Sequence, residues 1–158
     1  MQNKEIYSEI LESIVTKNEH SQVLSDLTKL ISYGDMNGFV ESGKVSEIGI
    51  NLYESLKPYT KDNRINVSDL RDIESEITKM GCVYLKLAFY PQVKLVKDIH
   101  RRLIETTKKY VYVDITVDAS LLGGAHIEYN GQFFDGSLKK IIDANFEEKK
   151  VKILEIVK

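Results

Sequence analysis

At Gly81 the spacing of apolar residues changes, and with it the kind of fold the chain can make. Before it, apolar residues recur every three or four positions. Ile6, Ile10 and Ile14 do so with Leu11 and Val15 beside them, followed by Val23, Leu24, Leu27, Leu30 and Ile31. Val45, Ile48, Leu52 and Leu56 make a third set, and Leu70, Ile73, Ile77 and Met80 a fourth. That spacing places one apolar stripe on each of several helices. Beyond Gly81, Val83, Leu85, Leu87 and Phe89 alternate with Tyr84, Lys86 and Ala88, the period of a half-covered strand. Helices segregated before strands predict an α+β fold: an N-terminal antiparallel helical bundle followed by a small mixed sheet. The expected boundary divides a helical domain over 1–80 from a mixed-sheet domain over 81–158. A helix over 68–80 can pack with either half.

Local punctuation sets the expected element ends. Polar residues around Asn18 break the first two stripes, and Gly34 closes the second. Residues Met36 to Val40, between Gly34 and Gly43, carry no clear period. The third helix stops at Pro58, and a polar run over 58–66 follows. Ser68 or Asp69 caps the next helix, with Gly81 as its stop. None of these stripes is wide enough to hold a helix alone, so the helices must pack on one another or on a partner.

After the first strand, Pro91 stands where a helix begins, and its ring holds Tyr90 extended. Val96, Ile99 and Leu103 face one way along that helix, while Lys94, Lys97, Arg101, Arg102 and Lys108 lie largely elsewhere. Tyr110 to Val117 alternates again. Strand, helix, strand favours a parallel pair with a right-handed crossover. Ala125, Ile127 and Tyr129 form one face of a third strand, and His126 and Glu128 the opposite, solvent face. Asn130-Gly131 between apolar runs signals a type I′ hairpin turn. Asp135 or Ser137 then caps a closing helix with Leu138, Ile141 and Ile142 on its inner face. The tail over 146–158 can extend that helix.

Composition narrows the function classes. Hydrophobic residues at 42% and charged residues at 29% are those of a folded protein. The net charge of −2 hides an asymmetry. Residues 1–60 carry nine acidic and five basic side chains, whereas 81–112 carry two acidic and seven basic. The lone Cys82 excludes an internal disulfide, and its place in an apolar run predicts a buried, inert thiol in a reducing compartment. The start, MQNKEIYSEI, lacks the pattern of a signal peptide, and no stretch approaches 18 apolar residues. Work at a membrane would need another protein to hold the chain there.

The stretch VDASLLGGAHIEYNGQFFDGSLKK, residues 117–140, holds four of the nine glycines, with Asp118 and Asp135 among them. Gly123 and Gly124 can take positive φ or admit another backbone closely. A phosphate loop needs a Lys and a Ser or Thr at fixed positions before a helix; here no such pair follows the glycines, and a strand does. Asp118, His126, Glu128 and Asp135 are candidate metal or acid–base residues. The three histidines, His20, His100 and His126, nevertheless lie on separate elements with no pairing spacing. Ser120 and Ser137 lack a nucleophile elbow, and backbone capping accounts for both serines and both aspartates. The basic helix admits nucleic acid, but the sequence pI near 6.0 and the absence of a recognition motif favour a solvated or protein-docking face. The residues alone therefore describe an α+β interaction module with no catalytic, cofactor or metal site.

The order of these elements resembles the C-terminal signature of the delta subunit of F-type ATP synthases, a family related to the mitochondrial oligomycin-sensitivity-conferring protein. The motif comprises Asp118, Ser120, Leu121-Leu122, Gly123-Gly124, the strand to Tyr129, Asn130-Gly131, Asp135-Gly136-Ser137 and Leu138. With the strand, Tyr90-Pro91, helix and strand before it, the resemblance covers about 81–145. It implies a non-catalytic stator adaptor without cofactor, cytoplasmic and held on the inner face of the cell membrane through the complex. The implied partners are the N-terminal helices of alpha subunits, for the helical part, and the C-terminal helices of the membrane-anchored b subunit. Direct membrane insertion is not implied. Lys94, Lys97, Arg101, Arg102, Lys139 and Lys140 are the candidate docking residues. The helical part is shorter than the six-helix domain usual in that family, and Lys139-Lys140 replace an arginine and a glycine. The E-type stator subunit of V-type or archaeal ATPases has comparable C-terminal elements. Its long charged N-terminal helix does not suit a chain interrupted by Gly34, Gly38, Gly43 and Pro58.

Overall fold

The computed structural model describes residues 4–34, 38–39, 44–60 and 65–145. Helices α1 (Lys4–Ser13), α2 (Lys17–Tyr33), α3 (Ile50–Thr60) and α4 (Val67–Thr78) precede Gly81. Then come β1 (Gly81–Leu87), α5 (Val93–Thr107), β2 (Val111–Val117), β3 (Ala125–Tyr129) and β4 (Gln132–Asp135). A last helix, α6, occupies 138–145. The protein is α+β, with helices first and a mixed sheet after the change of period. The tail over 146–158, and all of Met36–Val40 except Gly38 and Phe39, lie outside the described residues.

The stripe from Val45 opens as a 3-10 turn over Lys44–Glu47 before α3, and β1 ends at Leu87, leaving Phe89 exposed beyond it. Four further element ends differ from the sequence expectation, each for a local reason. The break between the first two helices falls at Thr16, not Asn18. Thr16 is extended and its hydroxyl accepts from the Glu19 N–H, while Glu19 reaches back to the Thr16 N–H at 2.8 Å. That reciprocal capping box outweighs the polarity of Asn18. A second box, built on Asn66 and Asp69, starts α4, so Asn66 is the cap and Asp69 sits one turn in. Pro58 lies inside α3; so close to the helix end, a proline forfeits only one late hydrogen bond. Helix α5 begins at Val93, with Gln92 as an N-cap that makes no side-chain bond.

The described helices before Gly81 enclose one core. Ile14, Leu27, Leu56 and Ile77 are each 0% exposed, and Phe39, Leu70 and Ile73 lie among them. The carboxylate of Asp26 is also fully buried, and it accepts from the Gly49 N–H at 2.7 Å, Gln22 Nε2 at 2.9 Å and Lys29 Nζ at 3.3 Å. It thereby holds the turn before α3 against α2, since a buried charge persists only with such partners.

The sheet order is β2-β1-β3-β4. Strand β1 pairs parallel to β2 from Gly81 opposite Val111 to Leu87 opposite Val117, and antiparallel to β3. One sheet face carries Val83, Leu85 and Leu87, all buried; the other carries Cys82, Tyr84 and Lys86. Cys82 is therefore half-exposed on the open face, not enclosed in a core as its apolar run suggests. Helix α5 covers the first face through Val96. His100, buried on α5, holds the Val111 carbonyl through Nε2 at 2.8 Å.

The helices and the sheet are fastened at one corner. Val15, between α1 and α2, packs with Val83, Val96, Val111 and Val113. Its carbonyl accepts from the Val113 N–H at 2.9 Å, making a short parallel bridge on the outer edge of β2. Alongside, Lys17 pairs with Asp114 at 2.7 Å, and the His20 ring stacks on Tyr112 with centroids 4.1 Å apart. The Asp114 hydrogen bond and charge together raise the Lys17 pKa.

Candidate docking surfaces

The glycine stretch is packed against its own chain. Gly124 has φ +74°, and a Cβ there would stand 2.1 Å from the Gly136 carbonyl oxygen. The Gly136 N–H donates to Ala125 O and the Leu138 N–H to Gly123 O, each at 2.9 Å. Left-handed backbone falls at Leu122 and Gly124, not at Gly123. Gly123-Gly124 and Gly136 thus let two backbone segments meet, a geometry a side chain at 124 would prevent. Asn130 (φ +50°) and Gly131 (φ +74°) form the hairpin turn, both left-handed as a type I′ turn requires.

The two aspartates hold backbone. Asp118 Oδ1 accepts from the Ser120 N–H at 3.0 Å, and Asp135 Oδ1 from the Ser137 N–H at 2.9 Å. The Ser120 hydroxyl and N–H lower the Asp118 pKa, and the Ser137 N–H and hydroxyl lower that of Asp135. Ser137, buried, accepts through Oγ from the Lys140 N–H at 3.2 Å and so caps α6. His126 and Glu128 lie on the open sheet face, opposite Lys86 and Tyr84; His126 Nε2 stands 3.0 Å from Asp135 Oδ1, which leaves His126 half-buried, while Glu128 is exposed. Asp118, Ser120, His126, Asp135, Ser137 and Lys139 line a hollow of about 570 Å³. Asp143 borders it too; the carboxylates of Asp118 and Asp135 are engaged by N–H groups, and among the described residues no group of three or more His, Cys, Asp or Glu could hold a metal ion.

The basic residues of α5 do not converge. Lys97 and Arg101 border a cleft of about 660 Å³ together with Glu12 and Glu19, and Arg101 also pairs with Asp98 at 2.9 Å. Lys94 and Arg102 are exposed and do not line that cleft, and Lys139 and Lys140 are exposed on α6. Interleaved acids reduce the pull of such a face on a phosphate backbone. On the open sheet face, burial raises the Cys82 pKa, with Asp114 adding to the effect. A thiol so placed is a poor nucleophile at neutral pH.

Two apolar surfaces stand out instead. The first is an open groove of about 780 Å³ between α1 and α4, floored by Tyr7, Leu11 and Tyr110 and bordered by Asp72, Glu76 and Lys79. The second is α6. Leu138, Ile141 and Ile142, expected on its inner face, are 43%, 54% and 45% exposed, and nearby Leu122 and Phe134 are 61% and 64% exposed. The amphipathic spacing is as the sequence suggests, but the apolar side is left about half exposed, as is the rest of α6. Sequence periodicity defines a stripe, not which neighbour covers it, so nothing in the spacing could have found this. No helix among the described residues is long and apolar enough to cross a membrane.

Comparison with known proteins bears on these surfaces. The family model described as ATP synthase delta (OSCP) subunit matches residues 54–145, from within α3 to the end of α6. The match thus begins upstream of the glycine motif and takes in α4. The ATP synthase subunit delta of Fusobacterium nucleatum is 24% identical over 144 residues, covering 89% of this chain and 74% of that protein.

Proposed function

The chain belongs to the ATP synthase delta (OSCP) subunit family, and from that premise we propose that it is a non-catalytic stator adaptor of an F-type ATP synthase. One part grips the catalytic head, and the other holds the peripheral stalk. The observation that carries this reading is the exposed apolar stripe of α6, Leu138, Ile141 and Ile142, with Lys139 and Lys140 beside it. An exposed apolar stripe rimmed by charge is the form of surface that receives an amphipathic helix. We assign it to the C-terminal helices of the b subunit; acidic side chains on such a helix would meet the two lysines. The groove between α1 and α4 is the place for the N-terminal helix of an alpha subunit. Asp118, Gly123, Gly124, Asn130, Gly131, Asp135, Gly136 and Ser137 serve this function by shape, fixing the hairpin and the start of α6. Work at the cytoplasmic face of the membrane then rests on the complex, through the b subunit.

A pull-down with two peptides tests the reading: the C-terminal helix of the b subunit, and the N-terminal helix of the alpha subunit. Saturable binding of both is the expected result, with Ile141→Ser weakening only the b-helix interaction. Binding of neither peptide would discard the adaptor role.

A further inference from the structure

The groove between α1 and α4 does not end where the helices end. A second hollow of about 350 Å³ shares Leu11, Glu76, Lys79 and Tyr110 with it and continues past Met80 and Gly81. It runs to Lys109, at the entry to β2, and to Tyr129 and Asn130 of the β3–β4 hairpin. Asp72 and Glu76 on α4 and Lys79, its C-cap, follow one another along a single helix face, as spacings of three and four require. Leu11 reaches the Lys79 end, whereas Tyr7 and Ser8 border only the first hollow, so α1 lines the trough in the same direction. Tyr110 belongs to both hollows and also packs against the helical core.

Taking the groove as the helix-docking site just argued, we infer that it is a composite trough whose occupant contacts the helices and the sheet together. From Asp72 to Lys79 is about 10 Å along a helix, and the step to Gly81 adds about 6 Å. The length suits an amphipathic helix of about three turns. The trough is charged at its ends: Asp72 stands at one, Lys109 at the other, and the Glu76–Lys79 pair, 2.8 Å apart, is balanced between them. The occupant is therefore a helix with one apolar stripe, a basic side chain meeting Asp72 and an acidic one meeting Lys109. A helix seated this way bridges helices and sheet a second time, at a place separate from the Val15–Val113 corner.

The test uses the full chain and a synthetic peptide of the N-terminal segment of an alpha subunit, followed by amide chemical-shift perturbation and titration. Shifts at Ser75 to Lys79 and also at Tyr110, Tyr129 and Asn130 are expected. Asp72→Lys and Lys109→Glu, both at exposed sites, should each weaken binding about threefold, with the loss restored by reversing the facing charge on the peptide. Binding that perturbs only α1 and α4, and is indifferent to Lys109→Glu, would overturn the composite trough while leaving helix docking intact. Absence of any saturable binding would overturn the docking reading as well.

Discussion

Ile77 and Ile141 are the same side chain in helices of the same protein, yet one is 0% exposed and the other 54%. Ile77 lies in the core enclosed by the described helices before Gly81. Ile141 lies on α6, whose residues are exposed throughout and which is tied to the sheet region mainly by backbone bonds at Gly123 and by the Ser137 cap. The two regions thus use apolar residues for different ends. In the helical region they stabilise the fold; at the end of the sheet region they remain available to something outside it.

Four measurements can break or sharpen that contrast. The largest effect should come from Ile77→Ala, which empties a fully enclosed site and should cost about 2–5 kcal/mol in chemical denaturation. Next is Gly124→Ala, where left-handed backbone and the Gly136 carbonyl both oppose a Cβ; a loss of at least about 2 kcal/mol is expected. Gly131→Ala is its control, with a similar φ but open space around it, and should lose only about 1 kcal/mol. Equal losses at the two glycines would refute the close backbone approach.

Acid should act more gently. The lowered values of Asp118 and Asp135 mean that each contributes stability fully present above the ordinary carboxylate value of about 3.9. That contribution is lost as pH falls through the lower folded-state value. Asp118→Asn with Asp135→Asn keeps a side-chain oxygen to accept from each backbone N–H but removes the titration. The double variant should show a shallower fall in stability below about pH 4 than the native chain. The smallest stability change belongs to Ile141→Ser, within about 0.5 kcal/mol, as for an exposed site. A loss there rivalling Ile77→Ala would mean that α6 is covered by this chain itself.

The same contrast marks what was legible beforehand. The change of period at Gly81, the strand–helix–strand order and the Asn130-Gly131 turn are local signals, and each found its element. The capping boxes at Thr16–Glu19 and Asn66–Asp69 were written in the sequence too, at the usual three-residue spacing. Asn18 and Ser68, polar residues just inside each helix, mask them. The exposure of the α6 apolar stripe and the half-exposure of Cys82 were not legible. Both depend on which surface another element covers, and spacing along one element carries no such information.

The Val15–Val113 bridge has a consequence for the order in which the protein can form. Lys17 and Asp114, which flank it, are 97 residues apart in the chain. At a ribosome adding about 5–20 residues per second, the corner between α1 and α2 waits on the order of 5–20 s for its strand to be made. A contact closing so long a loop comes late and rewards folding only once the loop is shut. The Thr16–Glu19 box needs no such wait, because both of its members lie within one turn. It can set the angle of the corner early, so that β2, when it arrives, meets a backbone already shaped to receive it.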